Sequence, residues 1–403
     1  MIKKTLEITS TWTLCTFASL LLFTQAQAQD VYYDPCCESQ VYYYPCETNE
    51  CCDRFWVDAE YLYWKIKDCP EPTPLVFEGS KVLKSDSDVI LGGKHIHTDW
   101  RSGGKFAVGY WFDDDKCWGG ELNYFFLPNK SKRNTVSSDL TTGSPHLRIP
   151  YFDVVSGKET STDLSDPGSF SGTASLKLRN RMQGAELNIV KKLSGFSGIS
   201  VTALGGFRYW NFNEHLSFTT SSPFINPPID TFVTKDRFST ENNFYGGQIG
   251  VLLAYNWCNF YLTAKGKVAL GGMYERLKID GSLATNDLDN FGDVQTFPGG
   301  YFALPTSIGK HKKTRFSVIP EVNVSLGYKL FDCAWLEVGY TFLYVSKVLR
   351  VGKQIDPNLN TSQSTTYTNN ATPKLKGQAS PRALHKTEGL WAQGLNVGVV
   401  VQF

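Results

Sequence analysis

The side chains able to do chemistry are few and scattered. His95 and His97 stand two apart, so on a strand they would share one face and could offer two ligands to a metal. No third ligand lies near them in the chain, and the expectation is no metal. Asp113-Asp114-Asp115 concentrates carboxylates. A calcium site needs six or more oxygens, so this run reads as a solvated turn. His215, His311 and His385 fall near the ends of strand-like segments. An Asp/His set there could act as in an outer-membrane protease, but nothing in the spacing pairs these residues with a carboxylate. The sequence contains no GxSxG, HExxH, P-loop or GxGxxG pattern. The expectation is a protein that is not an enzyme and needs no cofactor.

Cysteine is the other reactive type. Beyond Cys15, the chain carries Cys36, Cys37, Cys46, Cys51, Cys52, Cys69, Cys117, Cys258 and Cys333. The first five crowd into one short segment. There Val31-Tyr32-Tyr33-Asp34-Pro35-Cys36 recurs as Val41-Tyr42-Tyr43-Tyr44-Pro45-Cys46. No CxxC…CxxC or Cys/His spacing supports zinc. In an exported chain such density points to disulfides. The candidates are Cys36, Cys37, Cys46, Cys51 and Cys52, with Cys117, Cys258 and Cys333 of the later turns. The nine cysteines after Cys15 are an odd number, which leaves at least one thiol free or bonded to another chain. Cross-linking between copies, or to neighbouring envelope proteins, and purely internal staples both fit.

Export follows from the first residues. Lys3 and Lys4 precede an apolar stretch from Trp12 to Phe23, and Ala26-Gln27-Ala28 forms an A-x-A cleavage site. Residues 1–28 are expected to be a signal peptide, 29–53 a Cys-rich periplasmic arm, and 54–403 the folded body. No later run approaches the roughly 20 apolar residues of a membrane helix. An exported chain of this kind is soluble or crosses a membrane as a barrel. Lys+Arg 40 against Asp+Glu 39 leaves no basic excess, which argues against nucleic acid as a partner. The aromatic share of 14% and 35 glycines fit an all-β chain better than a disordered one.

The elements confirm that direction. Leu395, Val397, Val399, Val401 and Phe403 place an apolar residue at every second position, against Asn396, Gly398 and Gln402. The same period recurs in nine upstream segments, beginning near Phe55, Gly104, Trp118, Gly184, Val201, Phe244, Phe260, Phe316 and Trp335. Pro320 interrupts one of them, where a bulge or a strand start is expected. Short connections (Asp113–Cys117, Leu193–Gly198, Asn256–Asn259, Phe331–Ala334) alternate with long ones (Lys65–Gly103, Pro128–Lys177, Ser217–Asn243, Gly281–Lys313, Leu349–Glu388). This predicts a transmembrane antiparallel up-and-down β-barrel of about ten strands, twelve if a long loop hides a hairpin. Long loops would be extracellular and short turns periplasmic, so both ends of the body face the periplasm.

The polar parity carries charges of both signs. Acids are Asp58, Glu60, Glu121, Glu186, Glu321 and Glu337; bases are Lys105, Arg208, Lys265, Lys267 and Lys329. Lining a pore, they would set ion selectivity, and the near balance predicts a weak one. Alternatively they pair and fill a narrow barrel. Arg179 and Arg181 share the outward parity of Leu187, so they are expected above the hydrocarbon band.

Particular stretches also resemble a family. They include Phe55-Trp56-Val57 with Ala59-Glu60-Tyr61-Leu62, Phe244-Tyr245-Gly246-Gly247-Gln248, Ala303-Leu304-Pro305-Thr306-Ser307-Ile308-Gly309, Val318-Ile319-Pro320-Glu321 and Trp391-Ala392-Gln393-Gly394-Leu395-Asn396. In wording, order and spacing the body resembles the planctomycete-type outer-membrane β-barrel porin family (BBP-type). The resemblance implies a bacterial outer-membrane barrel with a pore and no catalytic motif. Its implied partners are outer-membrane lipid and the barrel assembly machinery, which would read the terminal Phe403. The arm at 29–53 departs from that family and more weakly resembles disulfide cross-linked envelope proteins of chlamydia-like bacteria. Two functions are expected: a narrow porin for small hydrophilic solutes, or a cross-linked structural envelope protein with little conductance.

Overall fold

The computed structural model describes residues 54–403 except 80–81, 84–87, 197, 227–229, 231 and 287–292. The expected signal peptide, the arm and its five cysteines lie outside the described residues.

Ten long strands form the body: β1 (Phe55–Ile66), β2 (Arg101–Trp111), β3 (Trp118–Ser137), β4 (Thr173–Phe196), β5 (Ile199–Ser221), β6 (Phe232–Trp257), β7 (Phe260–Thr285), β8 (Gly309–Phe331), β9 (Ala334–Leu349) and β10 (Thr387–Gln402). Each pairs antiparallel with its neighbours in the chain, and β1 pairs with β10 to close the cylinder. At the seam the Phe55 and Phe403 backbones exchange both bonds, at 3.0 and 2.9 Å. Closure leaves no open edge among these strands, which a strand assembly in lipid requires. Ten is the lower of the two expected counts. The long loops do hold extra strands, but outside the wall. Gln295–Pro298 extends β7 at its edge, and a separate five-stranded sheet gathers Pro74–Glu78, Asp88–Gly92, Leu147–Asp153, Lys158–Asp163 and Asn358–Leu359.

The alternation in the sequence becomes two faces. Along β10, Leu395, Val397 and Val399 are exposed while Asn396 and Gly398 are buried. The exposed parity on the wall carries Tyr61, Leu122, Leu187, Ile249, Leu270, Val322 and Val338, the band expected to face lipid.

Strands β4 to β8 run 23 to 26 residues, far beyond the roughly 9–11 that cross a bilayer. Most of the expected loop 217–243 is therefore strand, and the true connection is 222–231. Arg179 and Arg181 lie on this extension, exposed and in unbroken register with His215 and Asn213. Pro320 causes neither a bulge nor a strand start: β8 runs through it in register with Val268. The ladder to β9 begins at the next residue, Glu321, so the missing N–H falls where no partner is needed.

Candidate functional site: a charged vestibule beneath an apolar layer

The interior is stacked in layers, each built from the inward parity of the wall. The lowest, toward the short turns, is charged. Asp58 and Glu60 come from β1, Lys105 from β2, Glu121 from β3, Glu186 from β4, Arg208 from β5, Lys265 and Lys267 from β7, Glu321 from β8 and Glu337 from β9. All ten face inward, as their parity predicted. All but Arg208 line a cavity of about 430 Å³ that extends from Asn256, Trp335 and Gln402 near the short-turn rim up to Trp64 and Phe125.

These charges pair. Lys267 Nζ lies 2.9 Å from both Glu186 and Glu321. Fully buried Arg208 reaches Glu321 closely and Glu186 at 3.5 Å. Lys265 meets Glu121 at 3.4 Å, and Lys105 bridges Glu60 and, at 3.7 Å, Asp58. Amides complete the shell: Gln248 donates to Glu186 at 3.0 Å, and Asn396 donates to Glu60 at 2.6 Å. Burying so many charges is tolerable only because each acid finds a cation or a donor. Lys329 departs from the expected set. It sits at the rim and pairs with Asp332 at 3.2 Å, so the cavity lining carries six acids and three bases, Lys105, Lys265 and Lys267.

Glu337 illustrates how glycine shapes this layer. Among the described residues no base forms an ion pair with it; instead Tyr261 Oη donates to it at 2.9 Å. Tyr261 is on β7 and Glu337 on β9, with Gly327 of β8 in register between them. A Cβ at Gly327 would stand 2.1 Å from the tyrosine ring, so glycine lets the ring lie across the intervening strand.

Above the charges the interior is apolar. Seventeen buried side chains from nine of the ten strands form one contiguous cluster, including Leu62, Trp64, Phe125, Met182, Trp210, Phe212, Phe244, Met273, Ile319, Leu343 and Leu390. Trp210, Phe212, Phe244 and Met273 have no exposed surface. This layer roofs the vestibule, and the sequence reading, which followed only the inward charges, missed it. The signal was visible: in Tyr209-Trp210 and Phe342-Leu343-Tyr344-Val345 both parities are apolar.

A third layer ties the loops to the wall. Arg350, which opens the β9–β10 connection, forms a two-pronged pair with Glu214 of β5, at 3.0 and 3.2 Å, with neither side chain exposed. Asn242 of β6 holds Leu349 through both its backbone groups, at 2.8 and 3.1 Å. Asp236, also on β6 and well beyond the lipid-facing run that starts at Tyr245, accepts the backbone N–H of Tyr301, Phe302 and Ala303 at 3.0, 3.0 and 2.6 Å. Burial outweighs these donors and pushes the Asp236 carboxyl up to about 6. Over these anchors lies a second apolar core that joins the loop sheet to the upper strands, through Leu75, Val76, Leu147, Phe218, Phe302 and Leu359 among others. Cys69, fully buried in that core, has its thiol raised far above the ordinary range by burial.

The remaining candidates stay apart. His97 pairs with Asp68 at 2.7 Å. Burial opposes ionisation of Asp68, but the Thr98 N–H and His97 outweigh it and hold the carboxyl below its usual value. Asp113 accepts the N–H of Cys117 and Trp118 at 3.0 and 2.9 Å and caps its own turn. His215 contacts Ser239 Oγ on the outer wall, at 2.8 Å, whereas His311 and His385 meet edge to face at the top of β8. No group of three His, Cys, Asp or Glu is poised for a metal among the described residues. Cys117, Cys258 and Cys333 occupy three of the short turns, all at the rim where residue 54 enters the wall.

Solved structures similar to this chain include an outer membrane protease and a FadL homologue. The outer membrane protease OmpT from Escherichia coli is 12% identical, covering 87% of this chain and 97% of its own, with a TM-score of 0.41. A Pseudomonas aeruginosa FadL homologue is 8% identical, covering 87% and 90%, with a TM-score of 0.20. Likeness this weak assigns no activity. No curated protein matches the chain. Residues 56–403 match the family described as Putative beta barrel porin-7 (BBP7), and the chain belongs to that family.

Proposed function

We propose that this outer-membrane barrel is a gated pore for small hydrophilic solutes, closed at rest, and not an enzyme. The observation that carries the reading is the order of the interior: a charged cavity near the short-turn rim ends on a dry apolar layer. An apolar constriction is a recognised gate, because it excludes water until it widens. The cavity below supplies the polar surface a solute needs, and its six acids against three lining bases favour cations modestly. A barrel of ten strands is narrow enough for side chains to close it. Liposome swelling tests the reading. Wild-type protein should pass small sugars and amino acids slowly. Trp64→Ala combined with Leu62→Ala, which thins the layer, should pass them severalfold faster. A thinned barrel as tight as wild type, yet correctly folded, would sink the pore.

A second reading rests on the cysteine density of residues 36–52. It makes the chain a cross-linked envelope element. Envelopes run without reductant should then show oligomers that collapse on reduction. Monomer in both lanes would exclude it.

A further inference from the structure

The outer wall changes character where the lipid-facing run ends. On β7 that run closes at Tyr274, and on β8 at Phe316, both exposed. Exposed aromatics at such a boundary sit at headgroup level. The next outward positions toward the long loops are Arg276 and Lys278 on β7, and Thr314, Lys312 and Lys310 on β8. Successive outward residues are about 6.7 Å apart along a strand, so these bases stand within roughly 7–20 Å of the aromatic boundary, less along the membrane normal because the strands tilt.

The register then sets them face to face. Arg276 pairs with Lys312 and Lys278 with Lys310, two like-charge pairs directly opposite one another. Such pairs repel and destabilise a sheet unless an anion sits between them. Glu241 offsets Arg276 at 3.0 Å, and Asp280 offsets Lys278 at 2.9 Å. Among the described residues no carboxylate reaches Lys310 or Lys312, and both are exposed. The Thr314 hydroxyl position adds an exposed donor below them. Four cations on a rigid two-strand surface, at headgroup depth and facing outward, match a phosphate that is itself held at that depth by acyl chains.

We propose that Arg276, Lys278, Lys310 and Lys312 form a docking site on the outer wall for the phosphorylated headgroup of an outer-leaflet lipid. The site lies on the lipid side of the wall and is independent of whether the barrel conducts. Three features define it: lateral cation pairs, an aromatic floor that seats the acyl chains, and excess positive charge after the two acids are counted.

The test is native mass spectrometry of the full chain in detergent micelles, with lipid A bearing two phosphates and its dephosphorylated form as probes. Wild type should retain the phosphorylated lipid preferentially. Lys310→Gln with Lys312→Gln should retain it about 10- to 30-fold less, since a surface base contributes about a fivefold factor or slightly less. Lys374→Gln with Lys376→Gln, a charge-matched change in the exposed loop cap, should leave retention unchanged. Heat-modifiable migration on gels confirms that each variant is folded. Equal retention of both lipids, or undiminished retention by the Lys310/Lys312 variant, overturns the proposal. So does displacement of the lipid by excess inorganic phosphate, which would make the site one for free phosphate.

Discussion

Arg350 and Glu214 meet as a fully buried, two-pronged ion pair although 136 residues separate them in the chain. The pair joins the long β9–β10 connection to the far side of the wall, directly above the apolar layer. Arg350 also donates to the Lys67 and Asp68 carbonyls, at 3.3 and 3.1 Å, so one guanidinium ties three parts of the cap together.

Breaking that pair should loosen the cap. Arg350→Ala leaves the Glu214 carboxylate buried without its cation, at a cost of about 3–5 kcal/mol. Amide exchange should speed at Val351, whose N–H is held by Glu214 at 3.1 Å, and spread through the connection. Arg350→Met with Glu214→Leu should recover most of the loss, because no lone charge remains. Equal exchange in Arg350→Ala and wild type would show that the pair does not hold the cap.

Asp236 should make one anchor depend on pH. Its carboxyl is raised from 3.8 to about 6 by burial. A group raised on folding contributes stability that is full below the unfolded value and is lost as pH rises through the folded one. Protection of the Tyr301–Ala303 amides, corrected for intrinsic exchange, should therefore fall between about pH 4 and pH 7. In Asp236→Asn that pH dependence should vanish. A wild-type profile as flat as the variant's would contradict the assignment.

The Tyr261–Glu337 bond should depend on the glycine beneath it. Gly327→Ala drives a methyl into the ring and should displace it, costing more than Tyr261→Phe, which loses one hydrogen bond worth about 1.5–3 kcal/mol to a charged acceptor. Urea unfolding in detergent orders the two variants. A Gly327→Ala barrel as stable as wild type would mean the ring does not cross β8 as described.

Lys267 should matter more as a bridge than as a charge. It serves Glu186 and Glu321 together, and Lys267→Met leaves both with Arg208 as their shared cation. The expected loss is about 3–5 kcal/mol, with Lys267→Arg much milder. In the layer-thinned barrel, Lys267→Met should also shift the reversal potential toward stronger cation preference, since the acid excess rises. An unchanged potential would show that these charges do not face the permeating ion.

Much of the wall is legible in the sequence. Period 2 in segments such as Phe316–Lys329 sets the parity, and parity alone turned all ten interior charges inward. The alternation of long and short connections gave the strand number. Three things were not legible. Strand length beyond lipid was hidden because 217–243 loses its apolar face once it leaves the membrane, so its polar residues look like loop. The roof was overlooked because Trp210 and Phe244 are apolar on the parity expected to be polar, and each beside a tyrosine of the outward parity reads as ordinary strand. The Arg350–Glu214 and Asp236 anchors join distant segments, and no local pattern records such pairing. Lys329 had the right parity and the wrong depth, which only the position of its turn reveals.

The central claim is that the apolar layer is the gate of a barrel whose charged cavity is built to admit ions. The most direct measurement is single-channel current through the full barrel in a planar bilayer, compared with the Leu62→Ala and Trp64→Ala double variant. The account predicts a wild-type barrel that is silent or opens only briefly, and a variant with long, discrete, mildly cation-preferring openings. A wild-type barrel that is steadily open, or a folded variant that stays silent, would contradict it.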